Sequence, residues 1–198
     1  DTGIGVALIL KYPGNPMAGR VVDELVSQLD LYPTICDLIG IEKPERLQGV
    51  SLLPLLNSKK NTVRDEIFAE VTYHAAYEPM RCIRTKRHKL IKRFNDRLSV
   101  VGSNIDDCSA KSLLVNSGYL DKPHDRAMLL DLYLDSVERV NMIVDPSYLE
   151  IYNDLSERLA NWMESTDDPL LSGRKVKKPE GAVVNIQDCL SPNENRFE

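Results

Sequence analysis

A continuous apolar run, VALIL at residues 6–10, stands near the start of the chain, between Gly5 and a Pro13-Gly14 turn. A run without polar alternation is typical of a strand covered on both faces, as in the parallel sheet of an α/β domain. Nothing later in the chain supplies the alternating strands and helices that would flank it. The pattern therefore predicts the last part of a larger α/β domain, in a chain that is the C-terminal piece of a longer protein.

The next apolar positions predict a strand edge followed by a short helix. Pro33 suits the first helical position, and Gly40 suits the C-terminal cap. One further helical turn is predicted at SLLPLL, residues 51–56. Three apolar residues share one face of the predicted helix: Ile35, Leu38 and Ile39.

From residue 66 onward the pattern changes to one of strands. EIFAEVTY, residues 66–73, is rich in strand formers, and residues 80–84 and 89–94 predict a hairpin around a TKRH turn. A further strand is predicted at residues 129–134. Residues 98–127 show no sustained period and predict a long loop.

The clearest single element is an amphipathic helix near the end of the chain. Asp145 is suited to the N-cap, Pro146 to the first helical position, and the helix is expected to end near Thr166. From Pro169 onward the pattern predicts an irregular polar tail. Apolar residues recur at helical spacing along this helix: Tyr148, Tyr152, Leu155, Leu159 and Trp162.

Together these elements predict a fold class of α/β plus α+β. Residues 1–60 are assigned to the end of a large α/β sheet domain. Residues 61–168 are assigned to a small domain of antiparallel strands packed on one long helix. Residues 169–198 form the tail.

Composition adds few constraints. The 198 residues are 42% hydrophobic and 28% charged, which is ordinary for a globular protein, and no apolar run approaches the roughly 20 residues needed to cross a bilayer. No membrane partner is therefore expected. The four cysteines are widely spaced and show no metal-ligand pattern, so reduced, partly buried thiols are predicted.

Charge is unevenly distributed along the chain. It carries 30 Asp and Glu against 25 Lys and Arg, yet residues 79–95 contain seven Lys or Arg and no carboxylate. Such a basic strip is most often a solvated strand face, and Arg81 and Lys89 are also suited to inward ion pairs. Alternatively, forked guanidinium groups recognise sulfate or carboxylate groups of a polyanion. Nucleic acid is not expected, because stacking aromatics are missing from the strip and the whole chain is acidic.

Four blocks of the sequence resemble the sulfatases of the alkaline-phosphatase-like superfamily, and the group of N-sulfoglucosamine sulfohydrolase and its bacterial relatives most of all. The resemblance covers nearly the whole chain except residues 98–126. It implies that the first domain is the end of an alkaline-phosphatase-like α/β sheet. The blocks read DTGIGVALILKYPG, SQLDLYPTICDLIGIEKPERLQGVSLLPLL, EPMRCIRTKRHKLIKRF and DLYLDSVERVNMIVDPSYLEIYNDLSERLANWMESTDDPLL.

The resemblance implies hydrolysis by a formylglycine nucleophile assisted by a calcium ion. Formylglycine derives from a Cys-x-Pro-Ser-Arg or Ser-type motif, and none of the four cysteines fits it. The metal carboxylates of the family are likewise expected outside this chain. Asp106 and Asp107 are interpreted as solvated loop carboxylates. No catalytic residue and no metal ligand is thus assigned, and the chain alone is predicted to be inactive.

A substrate-binding role is predicted for the loop of residues 74–81. In the family, this region lends residues to the rim of the active-site pocket. His74 is expected to face substrate, Tyr77 to pack on a sugar face, Glu78 to accept hydrogen bonds, and Arg81 to pair with sulfate or a uronic carboxylate. His88 and His124 are predicted to lie at the surface.

The main functional hypothesis is the C-terminal part of a sulfatase that hydrolyses sulfamate or sulfate esters on glycosaminoglycan-type sugars. Its expected partners are a sulfated saccharide, the N-terminal part of the same protein, and other copies through an exposed truncated sheet. Two alternatives stay open: a non-catalytic polyanion-binding module, and another hydrolase of the superfamily that acts on phosphodiesters or phosphonates. The sequence indicates no compartment.

Overall fold

The computed structural model describes residue 1 and residues 3–198 and divides into two compact units. The first unit comprises residues 1–67 and 84–88, and the second comprises residues 68–83 and 89–198. The tail therefore belongs to the second unit. Within the described part of the chain, no helix combines the length and apolar character needed to cross a membrane.

The first unit contains two helices, α1 (Leu31–Ile39) and α2 (Leu53–Leu56), as the apolar pattern predicts. Gly40 adopts the left-handed conformation at the end of α1, with φ 72°, and its N–H donates to the Cys36 carbonyl. Only glycine adopts this conformation without steric cost, so Gly40 ends the helix. The helix begins two residues before Pro33, which therefore occupies its third position.

The buried carboxylate of Asp30 organises this unit. It accepts hydrogen bonds from the backbone N–H groups of Ser27 and Val50, each at 2.8 Å. The Arg64 guanidinium also donates to it, at 3.0 Å from Nε and through a second bond from Nη2. Because a buried charge is tolerated only when paired and hydrogen-bonded, these contacts hold three separate segments around the start of α1.

The strand predicted at residues 6–10 is not formed, and neither is the strand edge before α1. Val6 and Ile9 are 61% and 90% exposed. A strand needs hydrogen-bonding neighbours, and none of the described strands pairs with this segment. Self-association was predicted to use a truncated sheet at this segment. The structure has no sheet at residues 6–10, although apolar side chains of the segment are exposed.

The sheet has four antiparallel strands in the order β1 (Glu66–Tyr73), β2 (Tyr77–Thr85), β3 (His88–Arg93) and β4 (Ala127–Asp131). The predicted hairpin is confirmed, with β2 longer than expected. At its turn, the Thr85 hydroxyl accepts the His88 N–H at 3.0 Å and donates to the His88 carbonyl at 3.1 Å. This side chain closes the turn without glycine.

The predicted long helix is present as α4 (Leu149–Ser165), but the α-helix begins three residues after the predicted first position, Pro146. A 3₁₀ turn, Pro146–Tyr148, precedes it, and the Asp145 carboxylate caps this turn by accepting the Ser147 N–H at 2.9 Å. The Phe68 and Trp162 rings stack with centroids 4.8 Å apart. Buried apolar side chains from the strands, α4 and the tail form the core: Ile83, Leu90, Leu129, Leu155, Leu159, Met163 and Leu170.

Residues 98–127 are not a structureless loop, which corrects the prediction. They contain helix α3 (Ser109–Asn116) and two 3₁₀ turns, Gly102–Asn104 and Tyr119–Asp121. Helix α3 lies mostly at the surface, so it carries no sustained apolar face for a pattern to reveal.

The tail is irregular as predicted, but part of it is packed. Val184, Asn185 and Cys189 are buried, and the Asn185 N–H donates to the Ala75 carbonyl at 2.7 Å. The tail therefore contributes to the second unit rather than lying free on it.

Candidate functional site: the loop between the first two strands

The connection between β1 and β2 is a tight, well-supported loop. His74 is exposed, and its backbone N–H donates to the Ala76 carbonyl at 3.2 Å. The buried Ala76 donates its own N–H to Asn104 Oδ1 at 2.8 Å. Loops that are held rigidly in this way present exposed side chains in a defined position. His74 is the predicted residue that this loop offers to solvent.

Glu78 is half-buried and is oriented by a residue that the sequence did not single out for this role. Asn104 Nδ2 donates to Glu78 Oε2 at 2.7 Å while the Asn104 oxygen accepts from Ala76. One amide thus holds both the loop backbone and the Glu78 carboxylate. No local signal marks Asn104, because the contact spans 26 residues.

Tyr77 is only 6% exposed. Its carbonyl accepts a hydrogen bond from Gln187 Nε2 at 2.6 Å, and its ring lies 5.0 Å from the Tyr73 ring. The Lys175 ammonium lies 5.0 Å from the centre of the Tyr77 ring, a cation–π contact. In this structure the ring therefore contacts other side chains of the protein, where a sugar face was expected.

Arg81 lies in the interior, at 1% exposure, although a substrate contact was predicted for it. Its five N–H groups all have acceptors within the second unit: both Asp168 oxygens, the carbonyls of Val71 and Met80, and the Thr72 hydroxyl. A guanidinium with every donor occupied has none left for a sulfate group. The geometry therefore gives Arg81 a structural role in place of the predicted one.

Asp168 is the carboxylate that matches Arg81. Burial alone would raise the pKa of Asp168, but hydrogen bonds from the Arg81 side chain and the Leu170 backbone outweigh it and lower the pKa. Asp168 thus stays ionised opposite the arginine. This pair joins β2 to the start of the tail.

Most of the basic strip is neutralised within the protein. The inward ion pair predicted for Lys89 is confirmed, with its ammonium 2.6 Å from Glu138. Lys92 lies 5.6 Å above the Tyr152 ring. Two further cations of the strip pair within the first unit: Arg84 with Asp1 and Lys86 with Glu24, both at 2.7 Å. A strip whose charges are paired internally offers little attraction to an external polyanion.

Arg93 and His124 are both half-buried, and the Glu78 carboxylate is near enough to Arg93 to act on its charge. Burial lowers the pKa of Arg93, while the nearby Glu78, Tyr119 and Asp125 act to raise it. Burial and the positive charge of Arg93 together lower the pKa of His124. The Arg93 Nε atom is buried without a hydrogen-bond partner among the described residues. His124 is half-buried, so the predicted surface position is only partly correct.

The residues do not fit a metal ion or a formylglycine. Among residue 1 and residues 3–198, no three His, Cys, Asp or Glu side chains form a group that could hold a metal. Asp107 instead accepts hydrogen bonds from Lys111 at 2.8 Å, from Asn193 at 3.1 Å and from Ser191. All four cysteines are free thiols, and only Cys108 is exposed.

The fold of the chain is similar to that of solved sulfatase structures. A solved structure described as a 2-O GAG sulfatase superposes with a TM-score of 0.53 at 24% identity, covering 76% of this chain and 27% of that chain. The family described as N-sulphoglucosamine sulphohydrolase, C-terminal, matches residues 1–106. The chain belongs to this family, which confirms the resemblance seen in the sequence.

Curated relatives extend the similarity along almost the whole chain. An ulvan-active sulfatase of Formosa agariphila is 28% identical, covering 91% of this chain and 38% of the relative. The human N-sulphoglucosamine sulphohydrolase is 27% identical, covering 96% of this chain and 41% of the relative. The chain therefore spans about two fifths of the length of these relatives.

Proposed function

We propose that the protein containing this chain is a sulfatase that hydrolyses sulfamate or sulfate ester groups on glycosaminoglycan-type sugars. The observation that carries the proposal is the family match over residues 1–106, which includes both the α1–α2 block and the His74 loop. Within this enzyme the chain supplies the end of the α/β domain, the small sheet domain and part of the substrate rim.

In this proposal the rim is formed by His74 and Glu78. His74 is exposed at the tip of the supported loop, and Asn104 holds the Glu78 carboxylate at 2.7 Å. The imidazole is suited to hydrogen bonds with sulfate or hydroxyl oxygens, and the carboxylate to hydroxyl or amine donors. Tyr77 and Arg81 support this rim from the interior. The basic strip does not favour a general polyanion-binding module, because most of its cations are paired.

The nucleophile and calcium of this proposed enzyme are supplied by residues outside this chain. The isolated 198-residue chain is therefore expected to release no sulfate from an aryl sulfate above a heat-inactivated control. Turnover by the purified chain, with the rate following its concentration, would contradict this assignment.

The proposal is tested in the full-length protein by comparing a sulfated disaccharide with a small aryl sulfate. His74→Ala and Glu78→Gln are expected to lower kcat/KM for the disaccharide roughly ten- to hundred-fold, as expected for lost charged hydrogen bonds, with little change for the aryl sulfate. Lys60→Ala, at an exposed position of the first unit, is the control.

Three results would count against the proposal. Equal losses on both substrates in folded variants, or none on either, would make the loop a scaffold only. Preference of the full-length protein for aryl phosphodiesters or phosphonates over sulfates would assign it to another branch of the superfamily.

A further inference from the structure

A concave surface next to the His74 loop is lined mainly by residues of the tail. It is a pocket of about 450 Å³, and we call it the tail pocket. Its location follows from β1, because Tyr73 at the end of this strand forms one wall. Its lining residues are Tyr73, Lys175, Val176, Lys177, Lys178 and Glu198.

The tail pocket is positively charged in an otherwise acidic protein. Three of its lining residues are lysines, Lys175, Lys177 and Lys178, and Arg174 precedes them in sequence without lining the pocket. The chain as a whole carries a net charge of −5. Neither the Arg174 nor the Lys177 side chain has a hydrogen bond or ion pair with the described residues. Cations left without an internal partner raise the local concentration of anions.

The pocket already accommodates one anionic group of the protein itself. Lys175 Nζ lies 2.6 Å from Glu198 Oε2, and Lys178 Nζ donates to the Glu198 main-chain oxygen at 2.6 Å. The hydrogen bond to Glu198 raises the pKa of Lys175, so this ammonium stays charged. Three lysines thus converge on a pocket that contains a single carboxylate side chain.

A long-range hydrogen bond fixes one wall of the tail pocket. The Tyr73 hydroxyl donates to the Val176 carbonyl at 2.6 Å, across 103 residues of sequence, and so fixes the basic segment beside the sheet. The Tyr73 ring contacts the Tyr77 ring, which in turn lies under Lys175. Tyr73 directly precedes His74, so the tail pocket and the proposed substrate rim adjoin within the second unit.

We propose that the tail pocket is an anion subsite that binds a sulfate group of an extended sulfated saccharide, on a sugar other than the one that is hydrolysed. The inference rests on the proposed function for the identity of the ligand. Lys177 and Lys178 contact the sulfate group, and Lys175 does so once the sulfate group displaces the Glu198 carboxylate. The Tyr73 ring borders the sugar. The preferred substrate of the enzyme is then an oligosaccharide rather than a single sulfated sugar.

Binding of a fluorescent, heparin-derived hexasaccharide to the 198-residue chain at physiological salt tests the subsite. Lys177→Ala/Lys178→Ala is expected to weaken binding about two- to thirty-fold, the range for two exposed charge pairs. Lys59→Ala/Lys60→Ala is a matched control, because it removes two adjacent exposed lysines with the same change in net charge. Glu198→Gln is expected to tighten binding, since it frees Lys175.

Several outcomes would overturn the subsite. These are no binding by the unaltered chain, equal weakening in both double variants, or no effect of Glu198→Gln. Equal affinity for a chemically desulfated hexasaccharide that keeps its carboxylates would show that sulfate is not the ligand. Equally tight, Lys177-dependent binding of a single-stranded DNA oligonucleotide would make the pocket a nucleic-acid surface instead.

The same measurements separate failure of the subsite from failure of the proposed function, because binding does not require turnover. Sulfate release by the full-length protein together with unaffected hexasaccharide binding in the double variant would refute the subsite alone. Lysine-dependent hexasaccharide binding by the chain, together with no sulfate release by the full-length protein, would refute the proposed hydrolysis alone.

Discussion

Arg81 and Asp168 form a bidentate ion pair in the interior of the second unit, although 87 positions separate them in sequence. Arg81 Nε donates to Asp168 Oδ2 at 2.5 Å, and Nη2 donates to Oδ1 at 3.0 Å. Asp168 also caps the 3₁₀ turn that opens the tail by accepting the Leu170 N–H at 2.9 Å. Strand β2 and the tail are thereby joined within the second unit.

Removing one partner of this pair is expected to destabilise the protein strongly. Arg81→Ala leaves the Asp168 carboxylate buried and unpaired, and the free energy of unfolding should fall by about 3–5 kcal/mol. Urea denaturation of the 198-residue chain measures this loss of unfolding free energy. The control, Arg158→Ala, breaks the exposed α4 pair with Asp154 at 3.0 Å and should cost no more than about 0.5 kcal/mol. Similar losses in the two variants would show that the Arg81 pair is not an interior anchor.

The hydrogen bond that Asn104 donates to the Glu78 carboxylate is expected to stabilise the protein. In Asn104→Asp, a carboxylate faces Glu78 where an amide donated at 2.7 Å, so we expect a loss of about 2–3 kcal/mol of stability at pH 7. Repulsion raises the folded-state pKa of one carboxylate, so the destabilisation should shrink as the pH falls toward 4 and that group is protonated.

Asn193→Asp is the matched control for this charge effect. It places a carboxylate beside Asp107, 3.1 Å from the present amide nitrogen, but at an exposed position. Solvent should screen this contact, so the loss should stay below about 1 kcal/mol. A pH-independent loss in Asn104→Asp, measured by urea titration at pH 7 and pH 4, would refute the electrostatic explanation.

Gly49 is expected to tolerate no side chain. A Cβ atom there would lie 1.9 Å from the Leu29 carbonyl oxygen, which is backbone and cannot turn away. Gly49→Ala should therefore cost about 3 kcal/mol or more in the first unit. Gly3→Ala, where nothing lies within 4 Å, is the control. Thermal unfolding of the two variants compares them, and an unchanged Tm for Gly49→Ala would mean that this close approach is not present in solution.

Protonation of His124 is expected to oppose folding. Its folded-state pKa is lowered, first by burial and then by Arg93, against a smaller opposing effect of Asp125. Since the unfolded pKa is about 6.5, stability should be constant well above it, fall as the pH drops through it, and level off below the folded-state pKa.

An NMR titration of the His124 ring measures this shift directly. The midpoint should lie below about 6.5 and should rise in Arg93→Gln, because the variant removes the adjacent positive charge. His124→Gln should flatten the dependence of stability on pH between about 5 and 7. A midpoint at or above the ordinary value would contradict the half-buried position of this ring.

Elements with a strong local signal could be predicted from the sequence. The spaced apolar residues of α4, the strands of the hairpin and the glycine that ends α1 are found where they were expected. The expected capping residue, Asp145, caps the 3₁₀ turn that precedes α4 instead of α4 itself. Each of these features depends on contacts between residues close in sequence. Helix α3 could not be predicted in this way, because an exposed helix needs no apolar face.

The family, the hairpin, the final helix and the position of the His74 loop follow from the order of residues along the chain. Which side chains of that loop face solvent depends on long-range packing. Arg81 and His74 belong to one short segment, yet distant Asp168 buries the first while the second stays exposed. The tail pocket likewise exists because Tyr73 holds Val176 across 103 residues. Local patterns report propensity and periodicity, whereas the partner of a charge is set by which distant segments the fold brings together.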